Sequence, residues 1–196
     1  MTSKFHDGRY VTPPPWDIGR PQPAFRALAD AGAIKGRILD VGCGTGEHVL
    51  MAAALGLEAT GVDLVASALR MARDKARNRG LAARFLQWDA RNLVGLSQTY
   101  DTVIDSGLFH NLDDRDRVIF VRSLQSVTAP GATYFMLCRS DEDPHDPSRD
   151  PRMISQEEIR ASFADGWRID SVEGAIIEIG VDPYSLHAWL AALTRA

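Results

Sequence analysis

Short aliphatic runs alternate along the chain with stretches in which apolar residues recur every three or four positions. Ile38-Leu39-Asp40-Val41 is the first run; Gly42, Gly44 and Gly46 follow, and a helix opens, roughly Glu47–Leu55. Gly56 closes the turn, and Glu58–Asp63 reads as a second strand. Val65, Leu69, Ala72 and Ala76 predict a helix stopped by Gly80. Arg84–Trp88 reads as a third strand ending at Asp89-Ala90, and Tyr100–Ile104 as a fourth ending at Asp105-Ser106. Asp113 can cap a helix carrying Val118, Val121 and Leu124 that Pro130-Gly131 terminates, and Ala132–Leu137 gives a fifth strand. Ser155-Gln156-Glu157-Glu158 is a capping box for a helix to about Ala164. Trp167–Val172 is a sixth strand, which Ala175-Ile176-Ile177 extends or follows; His187–Leu193 fits a strand or a short helix equally well.

Ahead of this alternation, residues 1–15 are polar and then proline-rich, an extended arm. Trp16-Asp17-Ile18-Gly19-Arg20-Pro21-Gln22-Pro23 is stiff and suits neither helix nor strand. A helix then runs from Pro23 or Ala24 to about Asp30, with Phe25, Leu28 and Ala29 as its buried stripe. Residues 140–152 hold three prolines and seven charged residues and cannot be core. Strands alternating with helices imply an α/β fold, a single doubly wound, Rossmann-like parallel sheet with helices on both faces. Such sheets bind ligands at the carboxyl ends of their strands, and Asp40, Asp63, Asp89 and Asp105 all lie at such ends.

Composition narrows the setting. At 196 residues there is one domain, and 22 basic against 26 acidic residues give a net charge of −4, which argues against a nucleic-acid partner. Cys43 and Cys138 do not make a disulfide framework, so a reducing compartment fits. No apolar stretch is long enough for a membrane span, and Met1–Tyr10 lacks a signal-peptide core, so a cytoplasmic location is expected, with monomer and homodimer both open. Neither His/Cys spacing nor paired carboxylates suggest a metal.

The glycine-rich turn carries the chemistry. A dinucleotide fingerprint reads G-x-G-x-x-G, whereas this one reads D-x-G-x-G-x-G, without the lysine and serine/threonine of a phosphate-binding loop. Asp63 falls about 20 residues past the first glycine, the distance of a ribose-binding carboxylate. That distance fits adenosylmethionine and NAD alike.

The Asp40–Gly46 pattern resembles the first motif of the class I S-adenosylmethionine-dependent methyltransferases. With Trp16–Pro23 and Asp105-Ser106-Gly107-Leu108-Phe109-His110, it resembles the thiopurine S-methyltransferase superfamily, and within it the small bacterial heterocyclic toxin (quinolone) methyltransferases. The likeness runs from about Trp16 to Leu193 and implies about seven mostly parallel strands, His187–Leu193 among them. It implies an N-terminal arm (1–22) over the cofactor and a methyltransferase domain (23–196). S-adenosylmethionine, leaving as S-adenosylhomocysteine, would contact Trp16, Arg20, Asp40, Gly42, Cys43, Gly44, Thr45, Gly46, Asp63, Leu64, Asp89, Ala90, Asp105 and Ser106. Asp40 would take the ammonium, Asp63 the ribose, and Asp89 with the Ala90 N–H the adenine. Trp16 would pack on the methionine part, with Arg20 near its carboxylate or an acidic acceptor.

Methyl transfer is an in-line displacement that positioning alone can accelerate, and a base is needed only for an acceptor that must lose a proton. Asp105 and His110 are the candidates for that role; Phe109, His110 and Arg149 are candidates for the acceptor pocket, beside a charged loop that would form its mouth. The acceptor expected is a small aromatic or heterocyclic hydroxyl, N-hydroxy, nitrogen or thiol compound. An NAD-dependent oxidoreductase and a non-catalytic adenosylmethionine-binding module are the competing readings.

Overall fold

The structure is a computed structural model that describes residues 14–144, 152–180 and 185–196. Its strands are β1 (Ile38–Val41), β2 (Ala59–Asp63), β3 (Arg84–Gln87), β4 (Tyr100–Ser106), β5 (Thr128–Arg139), β6 (Trp167–Glu178) and β7 (Ser185–Arg195). They form one sheet in the order β3-β2-β1-β4-β5-β7-β6, with β7 antiparallel to both neighbours and the pairings from β3 to β5 parallel. The expected α/β architecture is borne out, as is the strand over His187–Leu193.

Helices α1 (Pro23–Asp30), α2 (Glu47–Ala54) and α3 (Ala66–Arg79) cover one face. There Phe25, Val49, Leu50, Leu69 and Ala72 pack on Ile38, Ile104, Phe135 and Leu137. Helices α4 (Asp114–Val127) and α5 (Gln156–Ser162) cover the other, where Phe120, Val121, Leu124 and Ile159 meet Leu39, Val103, Tyr134 and Met136. Strand order reverses at β1, so the crevice where ligands bind in such sheets opens between the carboxyl ends of β1 and β4, at Asp40 and Asp105.

The junction of α4 and β5 differs from expectation. The helix expected to run to Pro130 ends at Val127, and Thr128 already belongs to β5. The Thr128 hydroxyl donates to the Leu124 carbonyl at 2.8 Å, satisfying an acceptor that the helix end leaves open. Pro130-Gly131 falls inside β5, where the register jumps from Tyr100↔Thr128 to Thr102↔Thr133 and Gly131 takes φ +78°. Strand β6 runs unbroken to Glu178, so the aliphatic stretch extends it. The capping box at α5 has both of its bonds: Ser155 Oγ accepts from the Glu158 N–H (3.1 Å), and Glu158 Oε2 from the Ser155 N–H (2.9 Å).

Candidate active site

The turn between β1 and α2 is built from three glycines in left-handed conformations, with φ +72°, +51° and +85° at Gly42, Gly44 and Gly46. Two of them also bring neighbours close. A Cβ on Gly46 would lie 2.7 Å from the Phe85 ring, and one on Gly42 would lie 3.1 Å from Leu108. Gly61 on β2 is needed for space alone, because its Cβ would sit 2.7 Å from Cys43 Sγ and 2.8 Å from Val49. The Cys43 side chain therefore faces the core, and the residue offers a ligand only its backbone.

Three carboxylates converge at this rim. Asp40 is 1% exposed, and neither of its oxygens has a hydrogen-bond partner among the described residues. Burial, then the nearby charges of Asp105 and Asp63, push its carboxyl well above the usual range. Asp63 Oδ2 accepts from the Gly44 N–H and Oδ1 from the Val65 N–H, both at 2.8 Å. Burial raises the Asp63 carboxyl, and these N–H groups moderate the shift. A carboxylate has about four lone-pair sites, so acceptor capacity remains for a ribose hydroxyl. Leu64 stands beside it, 39% exposed.

This rim fits adenosylmethionine. Asp40 lacks the cation that an ammonium would supply, Asp63 retains acceptor capacity for a ribose hydroxyl, and Leu64 offers an apolar surface to a purine.

Several expected roles change. Asp105 is fully buried: Oδ1 accepts from the Leu108 N–H at 2.7 Å, and Oδ2 from the Phe109 N–H (3.1 Å) and the Tyr134 hydroxyl (2.9 Å). Burial raises it to about 7 despite these donors. It shapes the 107–109 loop instead of facing a reactant. His110 Nδ1 accepts the Arg139 N–H at 3.0 Å, which ties the ring to the end of β5 and leaves Nε2 as its other polar atom. Phe109 is fully buried, stacked near Phe163 with the Arg117 guanidinium 5.0 Å from its ring centre, and is core, not pocket wall. Its neighbour Leu108 is the loop residue that faces the glycine turn.

Asp89 caps the 3₁₀ turn beginning at Ala90 and is chelated by Arg91, which holds its carboxyl below the usual range. Arg20 pairs with Glu178 at 2.5 Å. Trp16 is 46% exposed on the arm, and Ser106 ends β4. Arg149 lies outside the described residues, as do residues 1–13 of the arm and most of the charged loop.

Two further sets of contacts tie the arm to the turn. Thr45 Oγ1 donates to Asp17 Oδ2 at 2.8 Å and accepts from Lys75 Nζ at 2.7 Å, while Lys75 also pairs with Glu47. The Gln22 N–H donates to His48 Nε2 at 3.2 Å. Burial lowers the His48 imidazole to about 4, so it is neutral near pH 7. No motif marks Lys75 or His48, although Glu47-His48 is a polar pair in an otherwise apolar helix.

Residues 38–131 match a family described as a methyltransferase domain. Over 164 residues the chain is 35% identical to the 2-heptyl-1-hydroxyquinolin-4(1H)-one methyltransferase of Mycobacteroides abscessus, covering 83% of this chain and 72% of that protein. A solved structure from work on the conversion of a disulfide bond into a thioacetal group during echinomycin biosynthesis is similar at a TM-score of 0.86 and 38% identity, covering 94% of this chain and 85% of the other. Magnesium protoporphyrin IX methyltransferase from Synechocystis PCC 6803, solved with bound SAH, shares the fold at a TM-score of 0.69 and 19% identity, covering 88% of this chain and 80% of the other.

Proposed function

The chain belongs to the S-adenosylmethionine-dependent methyltransferases, and from that premise we propose that its acceptor is a small aromatic heterocycle with an acidic hydroxyl, N-hydroxy or thiol group. The cofactor supplies an electrophilic methyl group on a sulfonium. Asp40 faces its ammonium, Asp63 its ribose, and Leu64 and the Asp89-Ala90 corner its adenine. The backbone of Gly42–Gly46 lies along the ligand, and the arm from residue 14 to 22, with Trp16, covers the methionine end; its ties to Thr45 and His48 support that role.

One observation carries the choice of acceptor. The two side chains expected as bases from the sequence are already engaged, Asp105 by three donors and His110 by the Arg139 N–H. An acceptor that is ionised near neutral pH needs no base, and positioning then supplies the acceleration. The name of the Mycobacteroides abscessus relative, a hydroxyquinolone methyltransferase, supports the same class.

The test is a panel of N-hydroxyquinolones, phenols, aromatic thiols and aliphatic alcohols incubated with labelled cofactor and read by mass spectrometry. Rates are expected to follow each acceptor's ionised fraction. Methylation confined to acceptors that keep their proton near pH 7 would overturn the proposal. His110→Asn should leave turnover of an ionised acceptor within about tenfold, where loss of a general base costs about a hundredfold or more.

A further inference from the structure

We infer that His48 is a positioning residue for the amino-acid end of the cofactor: it aims one ring nitrogen at Asp40 and is itself oriented, through the other, by the arm. The inference rests on the reading of Asp40 as the partner of the cofactor's ammonium.

The geometry is a relay across three elements. Gln22, 4% exposed, is clamped to β6 by its side chain, which donates to the Glu178 carbonyl (3.0 Å) and accepts from the Glu178 N–H (2.9 Å). Its own N–H then donates to His48 Nε2 at 3.2 Å. A neutral imidazole that accepts at Nε2 must carry its proton on Nδ1, and Nδ1 lies 3.9 Å from Asp40 Oδ2. The Phe25 ring meets the imidazole edge-on at 4.7 Å between centres, fixing the ring plane.

The neutrality of the donor matters. A cation beside Asp40 would compete with the incoming ammonium, whereas a neutral N–H near the carboxylate leaves that place to the ligand. Lys75, the cation at the glycine turn, is held on Glu47 and Thr45.

The test compares S-adenosylhomocysteine with 5′-methylthioadenosine, which lacks the amino-acid end, by calorimetry. His48→Gln keeps an acceptor near Nε2 and loses the donor toward Asp40; His48→Phe loses both; His48→Asn keeps a donor at the Nδ1 position. The preference for S-adenosylhomocysteine should fall roughly tenfold in His48→Gln and His48→Phe, and stay within about threefold of native in His48→Asn. Methylthioadenosine affinity should be unchanged in all three, which also reports an intact fold; if His48→Gln does not fold, the Phe and Asn variants decide. Native preference in both His48→Phe and His48→Gln, or equal loss of both ligands in every His48 variant, overturns the inference. Asp40→Asn separates the premise: native preference there would mean that the ammonium sits elsewhere, whatever His48 does.

Discussion

Asp63 and Asp40 stand at the same rim but answer to different parts of the ligand, and this separates their variants. Asp63→Ala removes the expected ribose contact, so S-adenosylhomocysteine and methylthioadenosine should both bind about 2–3 kcal/mol more weakly by calorimetry, as for hydrogen bonds to a charged group. Gly61→Ala acts without touching the ligand: its Cβ would meet Cys43 Sγ at 2.7 Å and displace the glycine turn. A stability loss of about 1–3 kcal/mol in urea unfolding is expected, with weaker cofactor binding. Residue roles were only partly legible in the sequence. Asp40 and Asp63 follow from their places at strand ends, whereas the burial of Phe109 and the engagement of Asp105 and His110 depend on Tyr134 and Arg139, far along the chain, which no local pattern reports.

Elements were more legible, because each carries its own punctuation. The glycine turn, the α3 stripe ending at Gly80 and the capping box of α5 are local signals, and each appears where expected. Ser155→Ala should therefore cost about 1 kcal/mol in thermal or urea unfolding while cofactor affinity stays unchanged, since α5 lies on the face opposite α1 and α2. The end of α4 was misread because Pro130-Gly131 looks like a helix stop, while Thr128 leaves the helix earlier and bonds back to Leu124. The arm was legible only as a stiff segment; its docking depends on Asp17 meeting Thr45 and Lys75, 28 and more residues away. Asp17→Ala should speed S-adenosylhomocysteine release severalfold in stopped-flow tryptophan fluorescence, the expected scale for one partly buried hydrogen bond.

At the scale of the molecule, buried titratable groups act against one another. His48 is neutral when folded, held down to about 4, so its contribution to stability is lost as pH falls from about 6.5 toward 4, at most about 3 kcal/mol. Asp105, raised to about 7, acts with the opposite sign: between about pH 4 and 7 the unfolded chain is ionised there and the folded chain is not, so acidification restores stability. Asp105→Asn removes that second effect and eases the upward push on Asp40, which acts in the same direction. Its urea midpoint should therefore drop more between pH 7 and pH 4.5 than that of the native protein; an equal or smaller drop would contradict the assignment.

The placing of β7 between β5 and β6 bears on how the protein is made. A chain emerging from the ribosome presents β6 before the strand that must separate it from β5. Until residues 185–195 appear, β5 keeps a bare rim of amides and carbonyls, and β6 lacks the strand it pairs with. Nascent chains stalled short of that point should be the ones that chaperones capture.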